Sequence, residues 1–368
     1  MKKVVIGMSG GVDSSVAALL LIQQGYEVIG LFMRNWDSTI NNDVYGNPTL
    51  GSDICPQEQD YNDAKLICER LNIPLYRIDF IKEYWDYVFN YFLDELKKGR
   101  TPNPDVMCNR YIKFDLFIKE AKRLGADYIA TGHYARLEDN KLLKALDKNK
   151  DQTYFLALVA KQQLNDVLFP IGNLNKNEVR KLAKQHNLIT ATKKDSTGIC
   201  FIGERHFRKF LKNYLPLQPG EIVNIETNEV IGKHEGLMNY TIGQRKGLDI
   251  GGTIERLFVV GKDVNKNILY VALGPNNKYL YSNAAIIEQV NWISDRRPTK
   301  CLAKFRYRQE DQPIEIEYLD NSHVKVMYPQ KVKAVTPGQA CVFYLDDECL
   351  GGGIIKDVLL DNQKLWYL

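Results

Sequence analysis

"VVIGMSGGVDSSVAALLL" (residues 4–21) is the stretch whose reading decides the fold of the first half of the chain. Val4 to Met8 form a short, β-branched apolar run, the pattern of a buried strand. Val12, Val16, Leu19 and Leu20 then recur at helical spacing, and Gly25 stands where that helix would close. Between strand and helix lie Gly7, Gly10 and Gly11, which permit close backbone approach, with the hydroxyls of Ser9, Ser14 and Ser15 beside them. A strand–turn–helix of this kind aims backbone N–H groups and the helix dipole at phosphate. No lysine follows the glycines, and G-K-[ST] occurs nowhere in the chain, so the loop is not a Walker P-loop. Without that lysine it suits a pyrophosphate better than a leaving γ-phosphate. Asp13 is out of place at an anion site unless a cation is present, which makes it a candidate for facing Mg2+.

Outward from this stretch, strand-like and helix-like segments alternate. "EVIGLFM" (27–33) is a second strand, and residues 35–57 read as a long polar loop. A helix through "EQDYNDAKLICERLN" precedes the strand "PLYRIDF", and an amphipathic helix runs through "KEYWDYVFNYFLDELKKG". "RTPNPDVMCNRYIKF" reads as a Pro-rich loop, followed by a helix to about Leu124 and a strand in "DYIATGH". This alternation predicts a parallel sheet covered by helices on both faces. After Pro216, Pro219 and Gly220 the pattern changes to short runs of period two separated by turns, as in small barrels or sandwiches. The predicted organisation is an α/β domain over 1–215, a small β-rich middle module over 216–280 and a C-terminal β-barrel over 281–368.

The 368 residues are 45% hydrophobic and 26% charged, an ordinary globular composition. No apolar run approaches the ~18–20 residues that span a membrane, and "VVIGM" is too short for a signal peptide, so a cytoplasmic protein is expected. The net charge is +4, but residues 176–213 alone carry ten Lys or Arg against three acids. Such a concentration favours a polyanionic partner; a solvated helix face is the plain alternative. Seven cysteines with no C-x-x-C argue against structural zinc and against a secreted disulfide framework. Two of the seven lie in polar strings: Cys108 in "TPNPDVMCNRYIKF" and Cys200 in "KKDSTGICFIGER". A thiol near lysine or arginine tends toward a lowered pKa and nucleophilicity, and Lys193 and Lys194 are the expected source for Cys200.

"SGGVDS" after the first strand resembles the PP-loop ATP pyrophosphatases, which adenylate a substrate oxygen and release pyrophosphate. The loop by itself does not choose among amide ligases, argininosuccinate synthetase and tRNA-modifying enzymes. With "GRTPNPDVMCNRYIKF", "YIATGHYAR", "KDQTYFL", "DSTGICFIGER", "NYTIGQRKGL" and "RYRQ", in that order, the chain resembles the bacterial tRNA-specific 2-thiouridylase family over essentially its whole length.

The resemblance implies a PP-loop fold of the adenine nucleotide alpha hydrolase type. It implies ATP binding by Gly7, Met8, Ser9, Gly10, Gly11, Val12, Asp13 and Ser14, with Met33 and Gly132. Cys108 would be a nucleophile and Cys200 the carrier of a persulfide. Asn103, Pro104 and Asp105 would meet the target uracil. His133, Lys150, Asp151, Gln152, Arg306, Tyr307, Arg308 and Gln339 would touch tRNA. ATP with Mg2+, tRNA and a persulfide sulfur donor or sulfur-relay protein are the implied cofactors and partners. Two other readings compete: a PP-loop amide ligase acting on a small molecule, and a non-catalytic RNA-binding protein with a degenerate nucleotide site. The intact Ser9, Gly10, Gly11, Asp13 and Ser14 speak against the second.

Overall fold

A computed structural model describes residues 1–48, 56–195, 198–248, 250–251 and 255–368. The N-terminal part is built on five parallel strands: β1 (Lys3–Met8), β2 (Glu27–Arg34), β3 (Leu75–Asp79), β4 (Tyr128–Ala130) and β7 (Val167–Leu168), in the order β3-β2-β1-β4-β7. Successive residues of β1 serve opposite faces. Val4, Ile6 and Met8 pack with the helices Val12–Gln23, Pro56–Leu71 and Lys176–Gln185, while Val5 joins the core under the helices of residues 81–97 and 104–123. Burial on both faces is why the strand reads as one continuous apolar run. The chain order reverses at β1, which pairs with β2 on one side and β4 on the other. That reversal opens the crevice at the carboxyl ends of the strands in which open α/β sheets bind ligands.

Both helices of the lower face contain a wide, π-helical stretch, Trp85–Phe89 in the first and Asn109–Leu116 in the second. The polar segment after β2 is not wholly a surface loop. Trp36 is buried, its indole N–H donating to Asp43 at 3.1 Å, and the helix Pro56–Leu71 begins inside the predicted loop. Residues 49–55 of that segment, with Cys55, lie outside the described residues.

Two further sheets follow. β8 (Gly220–Asn224), β9 (Val230–His234), β10 (Leu257–Asp263) and β11 (Ile268–Leu273) make a small sheet in the order β10-β11-β8-β9. Six strands, β12 (Tyr281–Trp292), β13 (Lys300–Lys304), β14 (Gln312–Tyr318), β15 (Val324–Lys333), β16 (Ala340–Leu345) and β17 (Glu348–Leu360), form a barrel that closes where β12 pairs with both β15 and β17. Closure removes the free sheet edges. The predicted class, a parallel-sheet α/β unit followed by a small β module and a β-barrel, is the observed one. A hairpin of β5 (Ala135–Glu138) and β6 (Lys141–Lys144), not expected from the sequence, leaves the α/β part and bonds to the barrel through Leu143 opposite Glu348.

The barrel also grips the segment leading into the 104–123 helix. Thr101 N–H donates to the Pro337 carbonyl at 2.9 Å, Gln339 Nε2 donates to the Thr101 carbonyl at 2.6 Å, and Arg100 bridges Glu95 and Glu288.

Candidate active site

Every residue expected at the nucleotide lies at the carboxyl ends of β1, β2 and β4. Gly7 and Met8 end β1, Ser9, Gly10 and Gly11 form the turn, and Val12, Asp13 and Ser14 open the helix. Met33 comes from β2, and Gly132 follows β4. Two of the glycines are sterically required. Gly10 has φ +70°, and a Cβ on it would stand 2.2 Å from the Asp60 carbonyl oxygen; one on Gly132 would stand 2.8 Å from Ser14 N. The turn is pre-organised by its own hydroxyls: Ser14 Oγ accepts from Ser9 N–H at 3.2 Å and donates to the Gly11 carbonyl at 3.1 Å.

Two lysines reach the loop from far along the chain. Lys176 Nζ donates to both oxygens of Asp13, at 2.8 and 2.9 Å, and also reaches Asp195. Tyr134 O–H donates to Asp13 at 2.8 Å. Lys193 Nζ donates to the Gly10 carbonyl at 2.9 Å and pairs with Asp60 and Asp63. Asp195 is partly buried, which raises its pKa, yet hydrogen bonds from Lys150 and Lys176 pull it down to about 2. With both oxygens engaged, Asp13 is arranged as the partner of an ammonium. Among the described residues no group of three or more His, Cys, Asp or Glu could hold a metal ion. These donors do not fit a magnesium ion carried on Asp13.

The two singled-out cysteines, 92 positions apart, meet. Their sulfurs stand 3.6 Å apart. Cys108 is not in a loop. Asn103 caps a helix with its side-chain oxygen on Asp105 N–H at 3.1 Å, Pro104 takes the first helical position, and Cys108 lies fully buried at the end of that first stretch. Cys200 sits in a tight turn in which Ile199 and Gly203 bridge, and the next residue, Phe201, has φ +64°. Three contacts hold the turn to the α/β core. Cys200 N–H donates to Asp105 Oδ1 at 3.1 Å, Tyr84 O–H donates to the Cys200 carbonyl at 2.7 Å, and Gln57 Nε2 donates to the Phe201 carbonyl. Ser196 and Thr197, just before the turn, lie outside the described residues.

The thiols are electrostatically unequal. Burial, then the hydrogen bond it shares with Cys200, pushes the Cys108 thiol well above its ordinary value. That shared bond, with the charge of Lys113, lowers Cys200 despite burial and the nearby Asp105. Cys200 is therefore the more readily ionised thiol of the pair and Cys108 the less. Cys68, Cys301 and Cys349 are each pushed up to about 12 by burial, as inert core thiols should be.

The remaining expected residues divide into two groups. Asn103, Pro104 and Asp105 form the helix start beneath the cysteine pair. The Arg306–Tyr307–Arg308 turn brings Tyr307 to 4.4 Å, between ring centroids, from Phe155, whose carbonyl accepts from Asn109 Nδ2 at 3.0 Å. Arg306 and Arg308 are exposed. The others face inward. His133 is buried between Phe114 and Phe169 with Nδ1 2.8 Å from Thr131 Oγ1, and burial holds it well below its usual pKa. Asp151 is buried against Ala145 N–H and Thr153. Gln152 accepts from Tyr134 N–H at 2.9 Å, Lys150 pairs with Asp195, and Gln339 is bonded to Thr101.

Three family models match in succession: the "tRNA methyl transferase HUP domain" over residues 2–204, the "tRNA methyl transferase PRC-barrel domain" over 208–273 and the "Aminomethyltransferase beta-barrel domain" over 282–355. The chain is 58% identical to the tRNA-specific 2-thiouridylase MnmA of Mycoplasma capricolum, across 97% of this chain and 99% of that protein. It is 55% identical to the protein of the same name from Geobacillus thermodenitrificans, across 100% of this chain and 98% of that one. The chain belongs to the tRNA-specific 2-thiouridylase family. Among solved structures, a 4-thiouridine synthetase–RNA complex with bound ATP is similar over 58% of this chain and 50% of that one, at 14% identity and a TM-score of 0.36.

As a member of the 2-thiouridylase family the chain is an enzyme, and two expectations about its charges are corrected by its structure. Lys193 does not serve Cys200, because its ammonium is taken by Gly10, Asp60 and Asp63. Lys113 acts on the sulfur instead. Nor is 176–213 wholly a free basic face: Lys176, Arg180, Lys193 and Arg205 are paired with Asp13, Asp195, Asp60, Asp63 and Asp43, while Lys181, Lys184, Lys194, Lys209 and Lys212 are exposed. The pairs of Lys176 and Lys193 tie the stretch to the helices Val12–Gln23 and Pro56–Leu71. Among the described residues, no helix is long and apolar enough to cross a membrane.

Proposed function

We propose that this 2-thiouridylase carries out ATP-dependent 2-thiolation of the wobble uridine of tRNA. The observation that carries the reading is the pair of unequal thiols 3.6 Å apart, within the same α/β unit as the pyrophosphate-type loop. The chemistry needs both parts. The uracil C2 oxygen is a poor leaving group until it is adenylated, which releases pyrophosphate from ATP. Residues 7–14, Met33 and Gly132 bind the ATP, with the ion pairs of Lys176 to Asp13 and of Lys193 to Asp60 and Asp63 bracing the loop. Mg2+ is assigned here only as the counter-ion of ATP in solution.

Sulfur then arrives as a nucleophile from a persulfide on Cys200. In one route Cys108 attacks the inner sulfur of the Cys200 persulfide anion, its proton passing to the departing sulfur. The disulfide forms, HS⁻ leaves, and HS⁻ displaces AMP from C2. In the other, the Cys200 persulfide anion displaces AMP first, and Cys108 then attacks the Cys200 sulfur and frees the thiocarbonyl. Both end with 2-thiouridine, AMP and a Cys108–Cys200 disulfide, which a dithiol or thiol reductant must reopen. The base must leave its stack to reach the cysteines, which is least costly for an unpaired anticodon base. Asn103, Pro104 and Asp105 are assigned to meet the base, and the exposed arginines around Tyr307 suit the flanking phosphates.

The test incubates the protein with a persulfide donor, alkylates it and locates the label by peptide mass, then supplies ATP and unmodified tRNA. Cys200→Ser should lose both loading and thiolation. Cys108→Ser should load Cys200 yet make little 2-thiouridine. Label on Cys108 instead, or full thiolation by either variant, overturns this division of roles. Pyrophosphate release stimulated by a small acid and not by tRNA would favour the amide-ligase reading.

A further inference from the structure

The sulfur pocket contains a cation that sequence spacing hides. Lys113 follows Cys108 by five residues, inside the π-helical stretch Asn109–Leu116. In an α-helix the step of about 100° per residue would swing residue 113 about 140° away from residue 108. A π turn closes from i to i+5 and sets the two nearly in line. The wide turn thus delivers an ammonium to the thiol face of the helix. Its charge acts on Cys200 first and Cys108 second, and its Nζ lies 5.5 Å from the ring centre of Phe201, the residue after Cys200.

Among the described residues, no hydrogen bond or ion pair takes this ammonium away from sulfur. Asp105 acts on it only through space, its Oδ1 already accepting from Cys200 N–H. His133 is held neutral by burial and by Lys113 itself. Tyr84 is a neutral hydroxyl committed to the Cys200 carbonyl, and Cys108 is the less readily ionised thiol. Lys113 is raised in pKa despite desolvation, so it is charged whenever the sulfurs are in play.

We propose that Lys113 is a catalytic residue of sulfur transfer, pairing first with the Cys200 thiolate and then with the terminal sulfur of the Cys200 persulfide. The inference rests on the reading of Cys200 as the persulfide carrier. In the loading step Cys200–S⁻ attacks the outer sulfur of a donor persulfide. The donor S–S bond breaks, Cys200–S–SH forms, and the donor leaves as a thiolate. That thiolate takes the persulfide proton, leaving Cys200–S–S⁻ opposite the ammonium and the donor as a thiol.

The experiment measures the rate of Cys200 alkylation by iodoacetamide against pH, with the label located by peptide mass. Lys113→Met should move the midpoint upward by about one unit or more, slowing labelling near neutral pH about tenfold, because one unit is a factor of ten in thiolate. Lys113→Arg should restore most of it, and Lys113→Gln replaces the methionine variant if that protein does not fold. A methionine or glutamine variant that binds tRNA normally and keeps the wild-type midpoint overturns the proposal. Wild-type protein that accepts no persulfide would instead sink the thiolation mechanism while leaving the alkylation result standing.

Discussion

Removing the Asp105 carboxylate should loosen the cysteine pair, and the structure gives the size of the effect. Asp105 Oδ1 accepts from Cys200 N–H at 3.1 Å, tying the 198–203 turn to the helix that carries Cys108. A hydrogen bond to a charged acceptor contributes about 1.5–3 kcal/mol. Tyr84 and Gln57 still hold the turn after the change, so the lower end applies. About 1.5 kcal/mol is roughly a tenfold loss in the effective concentration of one thiol against the other. The assay equilibrates the Cys108–Cys200 disulfide with glutathione, traps it with acid and reads the oxidised fraction by intact mass. Asp105→Ala should show the tenfold fall, whereas Asp105→Asn, which keeps an acceptor oxygen, should retain most of the wild-type value. A second readout moves the other way. The charge of Asp105 works against ionisation of Cys200, so Asp105→Asn, which keeps the turn in place, should alkylate faster at Cys200 near neutral pH. Equal effective concentrations in wild type and Asp105→Ala would refute the claim that this carboxylate joins the two segments.

Three other outcomes follow from the charges. Lys176→Met leaves Asp13 with Tyr134 alone and should weaken ATP binding by about ten- to a hundredfold, the scale of a charge-assisted bond, and calorimetry showing unchanged affinity would remove Lys176 from the phosphate site. Arg100→Ala strands Glu95, whose side chain is 5% exposed, with only Lys98; urea unfolding should show a loss of about 2–3 kcal/mol, which adding Glu95→Gln should partly recover. Burial holds Lys262 down at about 7, where its Nζ donates to the Gly99 carbonyl at 2.9 Å. Above pH 7 the unfolded chain keeps a proton that the folded chain has released, so stability rises with pH toward the unfolded pKa, by up to about 1.4 kcal/mol per unit. Lys262→Met should flatten that rise, and an identical pH slope in both proteins would assign it to another group.

How much of the fold the sequence discloses depends on the range of the contacts involved. The first strand, its turn and the helix were legible because period, glycines and hydroxyls all lie within twenty residues and agree. The barrel was legible as period-two runs with turns. The β5–β6 hairpin was missed although its signal is local. Asp139 and Asn140 both take positive φ between "ARLE" and "KLLK", the two-residue turn that matches strand twist. Its docking on the barrel was not legible, since the partner is Glu348, more than two hundred positions away. Cys108 was misplaced for a different reason. The two prolines of "TPNPD" were read as loop formers, but Asn before Pro is also a cap followed by the one helical position that tolerates proline, and the structure uses it that way.

The same distinction explains the active site. A search for the loop's cation along the chain finds nothing, because Lys176 and Lys193 arrive through tertiary structure from more than 160 positions downstream. Their acidic partners, Asp13, Asp60, Asp63 and Asp195, compensate these charges in the folded chain. A basic stretch counted from sequence therefore overstates the charge it presents to solvent. Lys113 was hidden by periodicity rather than by distance. It is five residues from a cysteine already singled out, yet α-helical spacing assigns it to another face, and only the π turn brings it round. Lysines adjacent in sequence to Cys200 looked like its activators, but Lys193 has nearer acids to satisfy. The cation we assign to Cys200 lies on the helix of Cys108, so one element carries both the partner thiol and the charge that act on it.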